Sequence, residues 1–293
     1  MDQLSYKRYC TQEIINTMPN IIKWFDSYGI NSTCTRYTRY LNYINDFFKR
    51  PMPALSELND KFEIMTKAFQ ECTEVYLIYK QFEKEKSKGF IAKLEKINNG
   101  LDLLDTSVNT TRKDFSRDFL YELLIAAKYK GKGYEINFDS VTDVYAKKDD
   151  DIFLIECKRL KSLDKLEKNL RKAGKQLKRA KSENSYGFIY IDIYNCVSNS
   201  VKSYEYSSVY EMNKIITLAV ENFYKENKKI ITTINDSNYP YSLGLCLSVY
   251  KCLWLSSCEI QFFNRQKINT SNNITDNEWE KVKKFASLTL AST

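Results

Sequence analysis

The feature that most constrains this chain is a short apolar run that leads directly into Glu-Cys-Lys. The run is Ile-Phe-Leu-Ile at residues 152–155, and Glu156, Cys157 and Lys158 follow it without a break. Its length and its β-branched and aromatic content predict a buried strand rather than a helix. Because side chains alternate between the two faces of a strand, we expect Glu156 and Lys158 on one face and Cys157 on the other.

A carboxylate and an ammonium group side by side on a buried strand require a chemical reason. Phosphodiester hydrolysis supplies one, because a carboxylate such as Glu156 can hold Mg²⁺. Lys158 would then lie near the attacking water or near the charge that develops on the phosphate. The pair therefore indicates a nuclease metal site.

A hairpin is predicted to bring Asp143 to the same place. Residues 141–145 form a second β-prone run, and the polar residues 148–151 separate it from the first. A turn centred on those four residues sets Asp143 directly across from Glu156, with their Cβ atoms ~5 Å apart. The two carboxylates would share one cation, and a register slip of one residue would turn one of them away.

A third carboxylate, Glu122, is expected from the preceding helix. Residues 112–130 have apolar residues at helical spacing and end at Gly131 and Gly133. The expected core stripe is Phe115, Phe119, Leu123 and Ala126. Glu122 lies at its margin, where a carboxylate is either a rim residue in a salt bridge or a metal ligand. Its position one helix before the hairpin favours the ligand.

The helix predicted after the strand, residues 163–181, is dense in cations. Its apolar stripe is Leu166, Leu170, Ala173, Leu177 and Ala180, with Asn169 and Gln176 together on one flank. A solvated face is the commoner meaning of such a charge run, but only two acids, Asp164 and Glu167, lie within it. We therefore expect this helix to face nucleic-acid phosphates. The residues expected to bind them are Lys165, Lys168, Lys172, Lys175 and Arg179.

The order of these residues resembles the PD-(D/E)XK nuclease superfamily, which has the restriction-endonuclease-like fold. The resemblance covers roughly residues 112–193 and rests on Glu122, Asp143, Glu156-Cys157-Lys158 and the later Lys175-Gln176-Leu177. The segments 117–123 and 133–136, with Glu-Cys-Lys-Arg at 156–159, resemble a subgroup often found in bacterial defence against phage. The proline that normally precedes the aspartate is Thr142 here.

The resemblance implies a fold, a cofactor and a set of roles. The fold would be α/β, with a mixed β-sheet flanked by helices. Glu122, Asp143, Glu156 and the main-chain carbonyl of Cys157 would bind Mg²⁺, for which Mn²⁺ could substitute. Lys158 would position or activate water, and Gln176 would support the site.

The composition excludes several rival chemistries. The chain has no histidine, so Ser-His-Asp and Cys-His nucleophiles, His-ligated zinc and His-dependent nucleases are ruled out. Its eight cysteines contain no Cys-x-x-Cys pair, which makes a zinc ribbon a poor explanation. The spacing of Cys246, Cys252 and Cys258 matches no usual ligand pattern. Reduced, buried cysteines of a cytoplasmic protein are the simpler interpretation.

Two regions are expected along the 293 residues. Residues 1–105 have a mainly helical pattern and no recognisable chemistry, and residues 106–293 would form the nuclease domain. The N-terminus lacks the apolar core of a signal peptide, and no segment approaches the ~20 apolar residues of a membrane span. A cytoplasmic protein without membrane contact is expected.

Two functions of different classes follow. The first is an Mg²⁺-dependent deoxyribonuclease, acting as the effector of an antiphage system. The second is a catalytically silent subunit with a nuclease fold, which binds nucleic acid or regulates a partner protein. The chain has no Gly-rich phosphate-binding loop, so it has no ATPase motor of its own. We expect a helicase or ATPase partner to supply that activity and to dock on the N-terminal region. DNA or RNA, in single or double strands, is compatible with the sequence as substrate.

Overall fold

The computed structural model describes residues 5–7, 11–31, 35–49, 60–102, 115–203, 206–255 and 260–290. Its helices are α1 (Thr11–Ser27), α2 (Arg36–Phe48), α3 (Asp60–Phe82), α4 (Lys88–Asn98), α5 (Ser116–Lys130), α6 (Leu166–Ala180), α7 (Tyr194–Val197), α8 (Val209–Asn238) and α9 (Asp276–Leu290). Its strands are β1 (Ser5–Lys7), β2 (Glu135–Asn137), β3 (Val144–Lys148), β4 (Asp151–Arg159), β5 (Ser185–Asp192), β6 (Gly244–Trp254) and β7 (Ile260–Thr270).

The strands form one mixed sheet. Within the described residues its order is β1-β7-β6-β5-β4-β3-β2. Strands β4, β5 and β6 are parallel to one another, and the other neighbours pair antiparallel. Helix α6 connects β4 to β5, and α8 connects β5 to β6, as crossovers between parallel strands require. The predicted α/β class, with a mixed sheet flanked by helices, is confirmed at this level.

Apolar side chains cover both faces of the sheet. One face packs against α3, α5 and α9, and helices α1, α2 and α4 belong to the same core. Phe285 of α9 stacks on Phe188 of β5 with 3.8 Å between ring centroids. The other face packs against α6 and α8. The helices of the first 105 residues therefore share a core with the sheet, and β1 pairs with β7 at its edge. The division at residue 105 stays a prediction.

The predicted hairpin register is confirmed. Val144 pairs with Ile155 and Lys148 with Asp151, so the two-residue turn is Asp149-Asp150, with φ of 52° at Asp149. Aspartate tolerates this left-handed conformation, which tight hairpin turns require. Strand β3 starts at Val144, whereas residues 141–145 were predicted as strand. Continued by one residue, this register places Asp143, which immediately precedes β3, opposite Glu156.

The core stripe predicted for α5 was partly wrong. Leu123 and Ala126 are buried, but Phe115 lies just before the helix and is 54% exposed. The prediction assumed one buried face, whereas α5 lies between the sheet and helices α3 and α4 and is buried on several sides. Residues 112–114 of the predicted helix lie outside the described residues.

The described cysteines behave as small apolar residues. Cys72, Cys157, Cys246 and Cys252 are buried free thiols, and Cys196 is a half-buried one. Cys10, Cys34 and Cys258 lie outside the described residues. None of the helices in the described part of the chain combines the length and the apolarity that crossing a bilayer requires.

Candidate metal and nucleic-acid site

Strand β4 presents Glu156 and Lys158 on one face, as predicted. Phe153, Ile155 and Cys157 belong to the core on the α5 side, whereas Leu154 belongs to the core on the α6 side. Because the faces alternate, Glu156 and Lys158 share the side of Leu154. The Glu156 side chain is fully buried, while those of Lys158 and Asp143 are 14% and 19% exposed. Lys158 and Asp143 are therefore accessible to solvent, whereas Glu156 is not.

The Lys158 ammonium group is enclosed by three oxygen atoms. Its Nζ lies 2.9 Å from Asp143 Oδ2, 2.8 Å from Glu156 Oε2 and 3.0 Å from the main-chain oxygen of Cys157. Asp143 Oδ2 also accepts a 2.8 Å hydrogen bond from the Cys157 amide, which holds the aspartate against β4. These three oxygens are the ones that the resemblance assigns to a metal ion. The ammonium group thus stands in for a cation among them.

Glu122 reaches the same region from α5. Its side chain is 11% exposed, and its Oε2 accepts a 2.5 Å hydrogen bond from Lys93 Nζ. Lys93, in α4, also donates a 2.9 Å hydrogen bond to the main-chain oxygen of Asp143. The structure therefore brings together Glu122, Asp143, Glu156, Cys157 and Lys158, and it adds Lys93.

Two carboxyl groups of this cluster, those of Glu156 and Glu122, have raised pKa values. Burial and then the charge of Asp143 raise the pKa of Glu156 well above its usual range, and the same two causes raise the pKa of Glu122. Burial lowers the pKa of Lys158, but Asp143 and Glu156 together raise it by more. A cation bound among these carboxylates would reduce the repulsion between them, and the raised pKa of Lys158 means that it keeps its proton at neutral pH.

The donor set suits an oxygen-ligated divalent cation. Two carboxylates and a carbonyl already surround one positive charge, and carboxylate and carbonyl oxygens are the ligands that Mg²⁺ takes in proteins. The second oxygen of Glu156, Oε1, is buried and has no hydrogen-bond partner among the described residues. As they stand, no three carboxylate or thiol side chains in the described residues form a group that could hold a metal ion. The ammonium groups of Lys158 and Lys93 contact these carboxylates instead.

Helix α6 packs its apolar stripe on the sheet and turns its cations outward. Leu166, Leu170, Ala173 and Leu177 are buried. The predicted phosphate-binding residues, all exposed, are Lys165, Lys168, Lys172, Lys175 and Arg179. Apart from Lys165, which lies before the helix and pairs with Asp164, they occupy the side opposite the apolar stripe. These cations therefore form an exposed stripe rather than part of the carboxylate cluster.

Gln176 lies on the flank of α6 between the buried and the cationic sides. It is half-buried, and its Oε1 is a buried acceptor without a hydrogen-bond partner among the described residues. A buried amide oxygen of this kind is rare in folded proteins. The predicted supporting role of Gln176 stays a prediction.

A polar cavity lies at the carboxyl ends of β4 and β5. Its volume is about 340 Å³, and Arg117, Arg159, Glu71 and Asp192 are among its lining residues. Arg159 Nε contacts Asp192 Oδ2 at 2.9 Å, and Arg117 Nε contacts Glu71 Oε1 at 2.6 Å. Both guanidinium groups of this cavity are therefore paired with carboxylates.

Sequence reasoning missed Lys93. It lies in a helix with several other lysines, among them Lys88 and Lys96, and nothing in the local pattern separates it from them. Only the packing of α4 beside α5 brings its ammonium group to Glu122.

Comparison with known proteins adds no relative. Neither a search against protein-family models nor a search of curated proteins found a match to this chain. The resemblance to the PD-(D/E)XK superfamily therefore rests on the sequence residues that carry it.

Proposed function

We propose that this protein is an Mg²⁺-dependent nuclease of the PD-(D/E)XK type that hydrolyses phosphodiester bonds in DNA. The observation that carries the proposal is the cluster around Lys158, in which Asp143, Glu156 and the Cys157 carbonyl surround a positive charge. The finer fold, restriction-endonuclease-like, belongs to the same proposal. The β3–β4 hairpin, with α5 before it and α6 after it, supports that assignment.

The roles of the residues follow from their positions. Asp143, Glu156 and the Cys157 carbonyl would hold the cation, and Glu122 would add a carboxylate from α5. The bound metal would polarise a phosphoryl oxygen and lower the pKa of a bound water. Lys158, which carries its proton beside the two carboxylates in the structure, would position or activate the attacking water. Its ammonium group would move from the carboxylates to the phosphate when a metal takes its place.

The exposed cations of α6 would bind phosphates without reading sequence. An antiphage role, with a helicase or ATPase docking on the N-terminal helices, is the biological setting that we propose. If the antiphage role is correct, cells that carry a Glu156 variant should lose the protection against phage that the parent protein gives.

The catalytically silent subunit remains the second candidate, because Lys93 and Lys158 already contact the three carboxylates. A silent subunit would bind nucleic acid and leave it intact under all metal conditions. The deciding experiment incubates purified protein with plasmid, linear and single-stranded DNA, and with RNA, under Mg²⁺, Mn²⁺ and EDTA. Cleavage by the parent in either metal but not in EDTA, and its absence in Glu156→Gln, would support the nuclease. Intact substrates in every mixture would support the silent subunit.

A further inference from the structure

Helix α4 lies beside the carboxylate cluster and contacts it through one side chain. Lys93 Nζ reaches Glu122 Oε2 at 2.5 Å and the Asp143 main-chain oxygen at 2.9 Å. The Lys93 side chain is 15% exposed. A largely buried lysine therefore connects a side chain of α5 to the main chain immediately before β3.

The same helix contacts this segment at a second point. The Gly89 amide donates a 3.0 Å hydrogen bond to Asp139 Oδ1. A Cβ atom at Gly89 would collide with the main-chain oxygen of Phe138, so the close approach of α4 depends on glycine. Helix α4 thus holds residues 139–143 at both ends, through Gly89 at one and Lys93 at the other.

We infer that Lys93 is a positioning residue of the proposed nuclease site, and that α4 braces the segment that carries Asp143. The inference rests on the proposed function and gives the N-terminal helices a part in it. Lys93 places Glu122 beside Asp143, and it does so without contacting the three oxygens around Lys158.

The charges explain why such a brace is needed. Glu122 and Asp143 are both acidic and lie in a partly buried region, where like charges repel strongly. Lys93 places a positive charge beside the Glu122 carboxylate and donates a hydrogen bond to the main-chain oxygen of Asp143. Without it, the Glu122 side chain would take several rotamers, from which a bound cation could still recruit its carboxylate, and residues 139–143 would lose one of their two anchors.

Removal of a positioning lysine and removal of a metal ligand should both reduce cleavage, but only the second should weaken cation binding. Lys93→Met takes a positive charge away from the cluster, so affinity for a divalent cation should stay within about 3-fold of the parent or increase. Cleavage should fall ~10–100-fold, the range found when groups that orient metal ligands are removed. Glu122→Gln removes a negative ligand instead, and should weaken cation binding as well as cleavage.

The test measures Mn²⁺ binding by calorimetry without nucleic acid, cleavage at saturating Mn²⁺, and amide hydrogen exchange in residues 139–143. We expect Lys93→Met to keep Mn²⁺ affinity, to lose cleavage and to exchange faster in that segment. Lys88→Met, an exposed lysine of the same helix, should match the parent in all three. If Lys93→Met is poorly folded, Lys93→Arg decides, because it keeps the charge and the donors and should recover most of the cleavage.

The outcomes separate this inference from the function on which it rests. A parent that binds Mn²⁺ and cleaves, with Lys93→Met equal to it in cleavage and exchange, overturns the role of Lys93 alone. Loss of Mn²⁺ binding in Lys93→Met to the extent seen in Glu122→Gln overturns it too. Failure of Lys93→Arg to recover any cleavage does the same. A parent that neither binds Mn²⁺ nor cleaves overturns the proposed function and this inference together.

Discussion

At the scale of the residue, substitutions of Glu156 and Lys158 should have opposite effects on DNA affinity. Both should reduce cleavage. Replacing either with alanine should reduce cleavage by about 10²-fold or more, the scale expected when one preorganised charge is deleted. Glu156→Ala should keep or tighten DNA affinity because a negative charge leaves the site. Lys158→Ala should weaken it slightly. Cleavage rates under Mg²⁺ and binding in EDTA measure both effects, and parent-like cleavage by both variants would contradict the enzymatic role.

Lys128 should make stability depend on pH. Its side chain is buried in α5 and donates a 3.0 Å hydrogen bond to Gln266 Oε1. Burial lowers its pKa from 10.5 to about 7. Between these values the unfolded chain holds a proton that the folded chain lacks, so this group makes the free energy of unfolding rise with pH, by at most about 1.4 kcal/mol per pH unit. Below pH 7 both states are protonated and the contribution is flat.

The measurement is urea denaturation at pH 7 and pH 9, for the parent and for Lys128→Met. The difference between the two proteins isolates Lys128 from other titrating groups. We expect the rise in stability from pH 7 to pH 9 to be smaller in the variant. An equal rise would show that Lys128 keeps its proton in the folded protein.

At the scale of the element, the cationic stripe of α6 should set the strength of DNA binding without setting its specificity. Lys172→Glu with Lys175→Glu should weaken binding to unrelated sequences by similar factors and should flatten the dependence of affinity on salt. The matched control reverses Lys225 and Lys228, which are exposed on α8 with the same spacing. Equal weakening by both pairs would mean that net charge alone acts, and salt-independent binding by the parent would contradict a phosphate-binding role.

At the scale of the whole molecule, the shared core makes the two predicted regions dependent on each other. Phe69 and Phe90 of the N-terminal helices belong to the same apolar cluster as Phe153 and Phe188 of the sheet. A fragment of residues 106–293 would expose that face of the sheet and the side of α5 that meets α3 and α4. We expect it to aggregate or to lack a cooperative thermal transition, because it cannot bury this surface.

Thermal denaturation followed by near-ultraviolet circular dichroism compares this fragment with the full chain. A fragment that is monomeric and unfolds cooperatively near the temperature of the full chain would show that residues 106–293 form an independent domain. The N-terminal helices would then be an appendage rather than a part of the core.

The sequence by itself determined the local features of this protein, because strand alternation and turn chemistry depend on near neighbours. The strand ending in Glu156-Cys157-Lys158, its hairpin register with Val144–Lys148, and the amphipathic α6 were all predictable in this way. Only the tertiary structure decided what depends on distant segments. Helix α5 lies between the sheet and helices α3 and α4, so more of its surface is buried than the single predicted stripe, and Lys93 meets Glu122 because α4 packs against α5. Contacts across 29 residues of chain leave no local pattern, since they arise from the burial of whole faces rather than from the spacing of side chains.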